Sequence, residues 1–190
     1  MDSFGEKIGI VALAVTMVTL GTSPHPFILI LCYIIHELGH LCFSKLAGAK
    51  MRKLKIGALH LSLSYDTSSL SYKREMLVQL GGVVFNLLFA FFSYLFGSGE
   101  IAGFFVTCNL SLAIMNLYPI SILDGGGILK NIFLMILPRD VSEKLSKTIS
   151  FVCAVLMWLL AIYMQIIFSA NLSLFIISVA LLVELCFSFA

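Results

Sequence analysis

The sequence predicts an all-α polytopic membrane protein with about six transmembrane helices and a short cytoplasmic β-hairpin after the second. Three observations carry this expectation. Of the 190 residues, 60% are hydrophobic and only 12% are charged, whereas a soluble domain carries about 25% charge. The mean hydropathy is +1.06. The apolar residues also fall into runs near the roughly 20 residues that a helix needs to cross a bilayer. A chain of this length accommodates about six such spans and leaves little for a soluble domain. These features exclude a cytosolic enzyme, a disordered chain and a disulfide-stapled secreted scaffold. A formal charge of +2 gives no reason to expect a nucleic-acid partner. Cys32, Cys42, Cys108, Cys153 and Cys186 are scattered through apolar sequence. They read as small packing residues.

In chain order, the first expected span is Ile8–Leu20, preceded by Asp2, Glu6 and Lys7. It lacks the basic start and small-residue cleavage site of a signal peptide. The second is Phe27–Leu46, the third about Met76–Phe96. The fourth begins near Ile101, breaks at Tyr118–Pro119, and resumes from Asp124 to about Leu137. The last two are Ile149–Phe168 and Leu172–Phe189. One membrane domain, 1–190, is expected, with a core of about 27–137 and accessory helices at 8–20, 149–168 and 172–189.

Basic residues set the orientation. Lys45, Lys50, Arg52, Lys53, Lys55, Lys73 and Arg74 lie between the second and third runs, and Arg139, Lys144 and Lys147 between the fourth and fifth. The other connections within 21–171 contain no Lys or Arg. The positive-inside rule places the two basic loops, and with them both termini, in the cytoplasm. Within the first basic loop, Leu59-His60-Leu61-Ser62-Leu63-Ser64-Tyr65 alternates with period two, as a strand does. Asp66-Thr67-Ser68 supplies turn chemistry, and Leu70 and Tyr72 weakly resume the alternation, so the expectation is a short hairpin with its second strand downstream, or at least one strand. Leu59, Leu61 and Leu63 either rest on the membrane or contact a substrate.

The second run contains His36-Glu37-Leu38-Gly39-His40, an H-E-x-x-H pattern. Residues four apart share a helix face, so both imidazoles can hold one metal. Glu37 sits beside it, placed to act on a water. Ionisable groups within a span cost roughly 2.5–3.5 kcal/mol each on insertion scales, and metal coordination offsets that cost. The other reading is a polar cluster that joins helices. A catalytic zinc takes three protein ligands. His25, His60, Glu100 and Glu184 lie at or beyond span ends, and Asp124 is the best third candidate. It follows the break at Pro119 and precedes Gly125-Gly126-Gly127. Non-helical backbone at membrane depth lines a protein cavity. Asp124 also suits a helix N-cap, which is compatible with ligation. Depth counts differ: His36 to Lys45 is roughly 13 Å of helix and Asp124 to Arg139 roughly 22 Å. Agreement requires a tilted helix, or one that emerges before Arg139.

Together with Asn116-Leu117-Tyr118-Pro119-Ile120-Ser121-Ile122-Leu123-Asp124-Gly125, the H-E-x-x-H stretch resembles the site-2 protease family of intramembrane zinc metalloproteases. The paired patterns there are H-E-x-x-H and N-x-x-P-x-x-x-L-D-G. Gly81-Gly82-Val83-Val84-Phe85-Asn86 resembles the family's glycine-rich stretch ending in Asn, without the proline that often follows the glycines. The resemblance spans about residues 30–137. It implies one zinc per chain held by His36, His40 and Asp124, with Glu37 as the catalytic base. It is nearest the bacterial branch that includes a sporulation protease, without the CBS domain frequent there and with no room for a PDZ domain. Asn86 and Asn116 either bridge helices or bind the substrate backbone or oxyanion. The implied substrate is a membrane-embedded or membrane-associated protein, with a membrane-protein regulator as a further partner, in the bacterial cell membrane. A helical substrate must be extended to be cut, and the strand at 59–65 offers β-augmentation. Two other readings are a catalytically silent relative that holds membrane clients, which has no need of Glu37, and a metal or proton transporter, for which repeated halves are expected and none is visible.

Overall fold

The computed structural model describes residues 24–56, 61–66, 70–168 and 172–189. The expected first span, together with Leu59 and His60, lies outside the described residues. Six helices are described: α1 (His25–Leu46), α2 (Tyr72–Phe96), α3 (Gly99–Asn116), α4 (Asp124–Ile136), α5 (Arg139–Phe168) and α6 (Leu172–Phe189). Two strands, β1 (Lys50–Ile56) and β2 (Leu61–Asp66), lie between α1 and α2.

Among the described residues, four helices are long and apolar enough to cross a membrane: α1, α2, α3 and α5. Their outward faces are those of lipid-contacting helices. Phe27, Leu31, Ile34 and Leu38 on α1 and Phe89, Phe91, Phe92, Leu95 and Phe96 on α2 are exposed, more contiguous apolar surface than a soluble monomer tolerates. The expectation of one broken fourth span is corrected. α3 is long enough to span by itself, and α4 is a separate 13-residue helix, roughly 20 Å long.

α1 begins beside Pro24 with Pro26 at its second position, where a missing N–H costs nothing. It ends where Gly48 adopts φ 75°, a left-handed turn favouring glycine. There the amides of Ala47, Gly48 and Ala49 bond back to the carbonyls of Phe43, Lys45 and Ser44. α1, α2 and α3 pack on one another, α4 packs on α2 and α5, and α5 packs on α6.

β1 and β2 pair antiparallel, from Lys50 opposite Asp66 to Ile56 opposite Leu61, with a register irregularity between Met51 and Lys53. Arg52 is the extra residue that such a bulge accommodates. The strand expected at 59–65 is described from Leu61, and its partner is upstream, not at Leu70 and Tyr72. Tyr72 instead opens α2.

α5 corrects a second boundary. It starts at Arg139, ten residues before the expected Ile149, so the basic segment is the first turns of a helix. Arg139 Nε donates to Glu143 Oε1 at 3.1 Å across one turn. Ser142, Ser146, Ser150, Ala154 and Ala161 on α5 are buried. Small residues at this spacing let a neighbouring helix approach closely.

A candidate metal centre at the start of α4

Three side chains converge from two helices. His36 Nε2 and His40 Nε2 lie 3.1 Å apart, and Asp124 Oδ2 is 3.1 Å from the first and 3.3 Å from the second. Among the described residues this is the one group of three or more such ligands. The two histidines share a face because they are one turn apart on α1. Asp124 reaches them because the chain breaks between α3 and α4.

The Leu117 amide closes α3 by donating to the Ala113 and Ile114 carbonyls, and Tyr118, Ile120 and Leu123 then make short-range turns. Ile120 is fully buried and packs with Ala154 and Met157 of α5 and Leu181 and Leu185 of α6, so the outer helices hold the break from behind. Leu123 is extended (φ −96°, ψ 161°) and is the N-cap, making Asp124 the first helical residue. The N-cap role that also suited Asp124 therefore falls to Leu123. The carboxylate still sits at the positive end of the α4 dipole. A Cβ on Gly125 would collide with the Leu117 and Tyr118 carbonyls, and one on Gly126 with Ile120. The break can therefore fold against the start of α4 only over glycines.

The depth discrepancy also has a physical resolution. α4 ends at Ile136, before Arg139, giving roughly 18 Å from Asp124 to its end, while His36 to the end of α1 at Leu46 is roughly 15 Å.

The α1–α2 interface closes the other side. Gly39 and Gly81 meet backbone to backbone. Next to them, a Cβ built on Gly82 would lie 2.5 Å from His36 Cε1 and 2.6 Å from His40 Nε2. The imidazoles thus occupy the space that any side chain at position 82 would need. His40 Nδ1 donates to the Val78 carbonyl at 2.9 Å, which leaves Nε2 as the lone-pair nitrogen of the neutral ring. This is the usual support for a metal-bound histidine.

The residues fit a zinc ion. Electron-rich atoms meet at 3.1–3.3 Å, and at least the His40 nitrogen brings no proton to share with them. A tetrahedral centre with bonds of ~2.0–2.1 Å has ligand edges of ~3.3–3.4 Å. Two imidazole nitrogens and a carboxylate oxygen are ligands that zinc accepts.

Glu37 is half-buried and adjacent in sequence to His36. Asn86 lies one turn from Gly82 on α2. It is fully buried, and neither amide atom has a hydrogen-bond partner. Asn116 donates to Leu112 O at 3.0 Å, within its own helix. His25 is at the far end of α1, against Phe104 with ring centroids 4.2 Å apart. Glu100 is exposed in the first turn of α3. Leu61 and Leu63 are on β2.

Two hydrogen bonds near the site were not anticipated from sequence. Asn109, fully buried, donates to Cys32 Sγ at 3.0 Å, joining α3 to α1 one turn from His36. Asn131 donates to Gln79 Oε1 at 3.4 Å, joining α4 to α2, and Gly127 lies against the same Gln79 side chain. A polar residue within an apolar run was the available signal for each.

Comparison with known proteins returns a family match and a shared fold. The model for peptidase family M50 matches residues 95–160, a stretch that includes Asp124. No curated protein matches the chain. Among solved structures, site-2 protease from Methanocaldococcus jannaschii has the same fold, with a TM-score of 0.68 and 21% sequence identity. The alignment covers 94% of this chain and 86% of that one.

Proposed function

We propose that this chain is an intramembrane zinc endopeptidase of the site-2 protease type, hydrolysing a peptide bond in a membrane-embedded or membrane-associated protein. The observation that carries the reading is the convergence of His36, His40 and Asp124 at 3.1–3.3 Å, with Glu37 adjoining the first ligand. The M50 match and the shared fold support it.

His36, His40 and Asp124 would hold one zinc ion per chain. When bound, zinc supplies Lewis acidity, lowering the pKa of water toward ~7 and polarising a carbonyl. Glu37 takes a proton from the attacking water and later delivers it to the leaving amine. Asn86, buried with its amide unsatisfied, donates to the developing oxyanion or the substrate backbone, because a buried amide without a partner costs about 1–3 kcal/mol. Asn116 contributes a second polar group while holding the Leu112 carbonyl. An extended substrate pairs with the hairpin, where Leu59, Leu61 and Leu63 contact its side chains. The basic segments support a cytoplasmic position for the hairpin and both termini in a bacterial cell, and a membrane-protein regulator fits a protease of this type.

The test uses purified protein in bicelles with fluorescence-quenched peptides, each carrying one apolar span interrupted by Gly, Asn or Pro. Zinc-dependent cleavage is expected, with Glu37→Gln keeping its zinc and losing at least ~100-fold in rate, the lower range of general-base effects. Turnover by Glu37→Gln near that of the unaltered protein removes Glu37 from the chemistry. Cleavage that persists after the metal is stripped overturns the zinc reading.

A further inference from the structure

Gln79 on α2 is half-buried and reaches across to α4. Its Oε1 accepts from Asn131 Nδ2 at 3.4 Å. Its Nε2 lies against Gly127, in the space that a Cβ there would take. Asn131 is itself buried, and its donation fixes which end of the Gln79 amide points where. The carbonyl oxygen is thus spent on α4. The amide nitrogen carries two protons and has no acceptor among the described residues. Any side chain at position 127 would collide with that nitrogen, and glycine leaves it uncovered.

The two helices set where this donor stands. Gln79 precedes Gly82 by three residues and shares its face of α2, the face that meets both imidazoles. Gly127 follows Asp124 by three residues and shares its face of α4 in the same way. The donor therefore lies between α2 and α4, about one turn from the metal centre. The displacement is towards the start of α2 and the end of α4. The hairpin enters α2 from that same end. Asn86 lies one turn beyond Gly82 in the opposite direction. Seven residues of helix, roughly 10 Å, separate Gln79 from Asn86, a distance that an extended chain covers in about three residues.

We propose that Gln79 binds substrate, its Nε2 donating to a backbone carbonyl of the extended segment between the hairpin and the cut. The inference deepens the reading of this chain as an intramembrane endopeptidase and rests on it. A stretch of span that unwinds to be cut loses the hydrogen bonds of its helix, and hydrocarbon replaces none of them. Its carbonyls then need donors from the protein. Pairing with the hairpin serves the residues farther out, and Gln79 serves a carbonyl nearer the metal centre. Asn131 acts through Gln79 by orienting its amide.

The test separates binding from turnover. Zinc-loaded Glu37→Gln in bicelles is mixed with dansyl-labelled forms of the single-span peptides. Energy transfer from Trp158, the one tryptophan of the chain, reads their affinity. Gln79→Met keeps the side-chain length and deletes the amide. In the Glu37→Gln background it should weaken peptide binding ~3- to 10-fold, the scale of one hydrogen bond. In the otherwise unaltered protein it should raise KM by a similar factor, with kcat within about twofold and zinc content unchanged. Asn131→Leu breaks the same tie between α2 and α4 but keeps the Gln79 donor, so it should weaken binding less. Binding by Gln79→Met within twofold of its parent overturns the inference, as does equal weakening in both variants, the mark of a merely structural tie. Gln79→Cys in the Glu37→Gln background gives a second measurement that does not depend on the methionine variant folding. Peptides carrying one pyridyl-disulfide residue within about three residues of the cut should trap the introduced thiol, with Glu37→Gln alone as the blank. No trapping at any of those positions overturns the inference. If the unaltered protein binds the peptides and cuts none, the endopeptidase reading falls, and the binding comparison still decides the role of Gln79.

Discussion

Gly82 offers the sharpest test of how the metal site is built. A methyl group there would begin 2.5 Å from His36 Cε1, 2.7 Å from His36 Nε2 and 2.6 Å from His40 Nε2. Carbon contacts are comfortable at ~3.5–4.0 Å, so about 1 Å must be found. α2 cannot retreat readily, because the adjoining Gly39–Gly81 contact already sets backbone against backbone. His40 cannot simply swing away, because its Nδ1 is tied to the Val78 carbonyl. The imidazoles must therefore move relative to Asp124. Metal–ligand distances tolerate only about 0.2 Å, and loss of a supporting interaction costs roughly 10- to 100-fold in affinity. Direct displacement of two ligands should cost at least that much. Gly82→Ala is predicted to purify folded but depleted of zinc, measured by elemental analysis and by chelator competition. Gly103→Ala, whose Cβ would meet nothing within 4 Å, should retain its zinc. Full occupancy and unchanged chelator resistance in Gly82→Ala would refute the argument.

Three further predictions follow from other parts of the site. Asp124→Ala should weaken zinc retention, since it removes the carboxylate 3.1 and 3.3 Å from the two imidazoles; full affinity, read by chelator competition, would take Asp124 out of the site. Asn86→Leu exchanges an unsatisfied buried amide for an apolar group of similar size, so it should leave stability equal or higher while lowering peptide cleavage at least ~10-fold. Unaltered cleavage would return Asn86 to a packing role. Leu61→Pro removes a backbone N–H from β2 and should reduce cleavage with zinc content unchanged, whereas Leu61→Ala should be mild. Equal rates in the two variants would deny strand pairing with substrate.

The candidate metal ligands were legible because each is an ionisable residue where the surrounding sequence is apolar, and His36 and His40 carry a spacing with direct geometric meaning. Asp124 was reachable from the Pro119 break, although its place as the first helical residue depends on Leu123 being extended, which composition does not encode. The start of α5 was hidden because Arg139, Lys144 and Lys147 read equally well as a charged loop or as the cytoplasmic turns of a helix. β1 was hidden for a related reason: Lys50-Met51-Arg52-Lys53-Leu54-Lys55-Ile56 carries four basic residues that mark a cytoplasmic connection, and the Arg52 bulge interrupts its alternation. Asn109 and Gln79 were visible as polar residues, but their partners sit on other helices, and single polar residues in apolar runs carry no spacing rule that names a partner.

The small residues explain why a site of this kind assembles in a membrane at all. Lipid tails are as apolar as leucine, so helices gain little from hiding apolar side chains against one another, and association rests on close packing and interhelical hydrogen bonds. In this chain, close packing and ligand placement use the same atoms. The Gly39–Gly81 contact brings α1 against α2, and the absent side chain of Gly82 leaves the volume that the two imidazoles fill. Gly125 and Gly126 admit the carbonyls of the break, which places Asp124 beside those imidazoles. Ile120 seats that break against α5 and α6. A substitution that loosens helix association at these glycines must therefore disturb the metal centre. Enlargement of a lipid-facing residue such as Phe92 or Leu95, both exposed, has no such route to it.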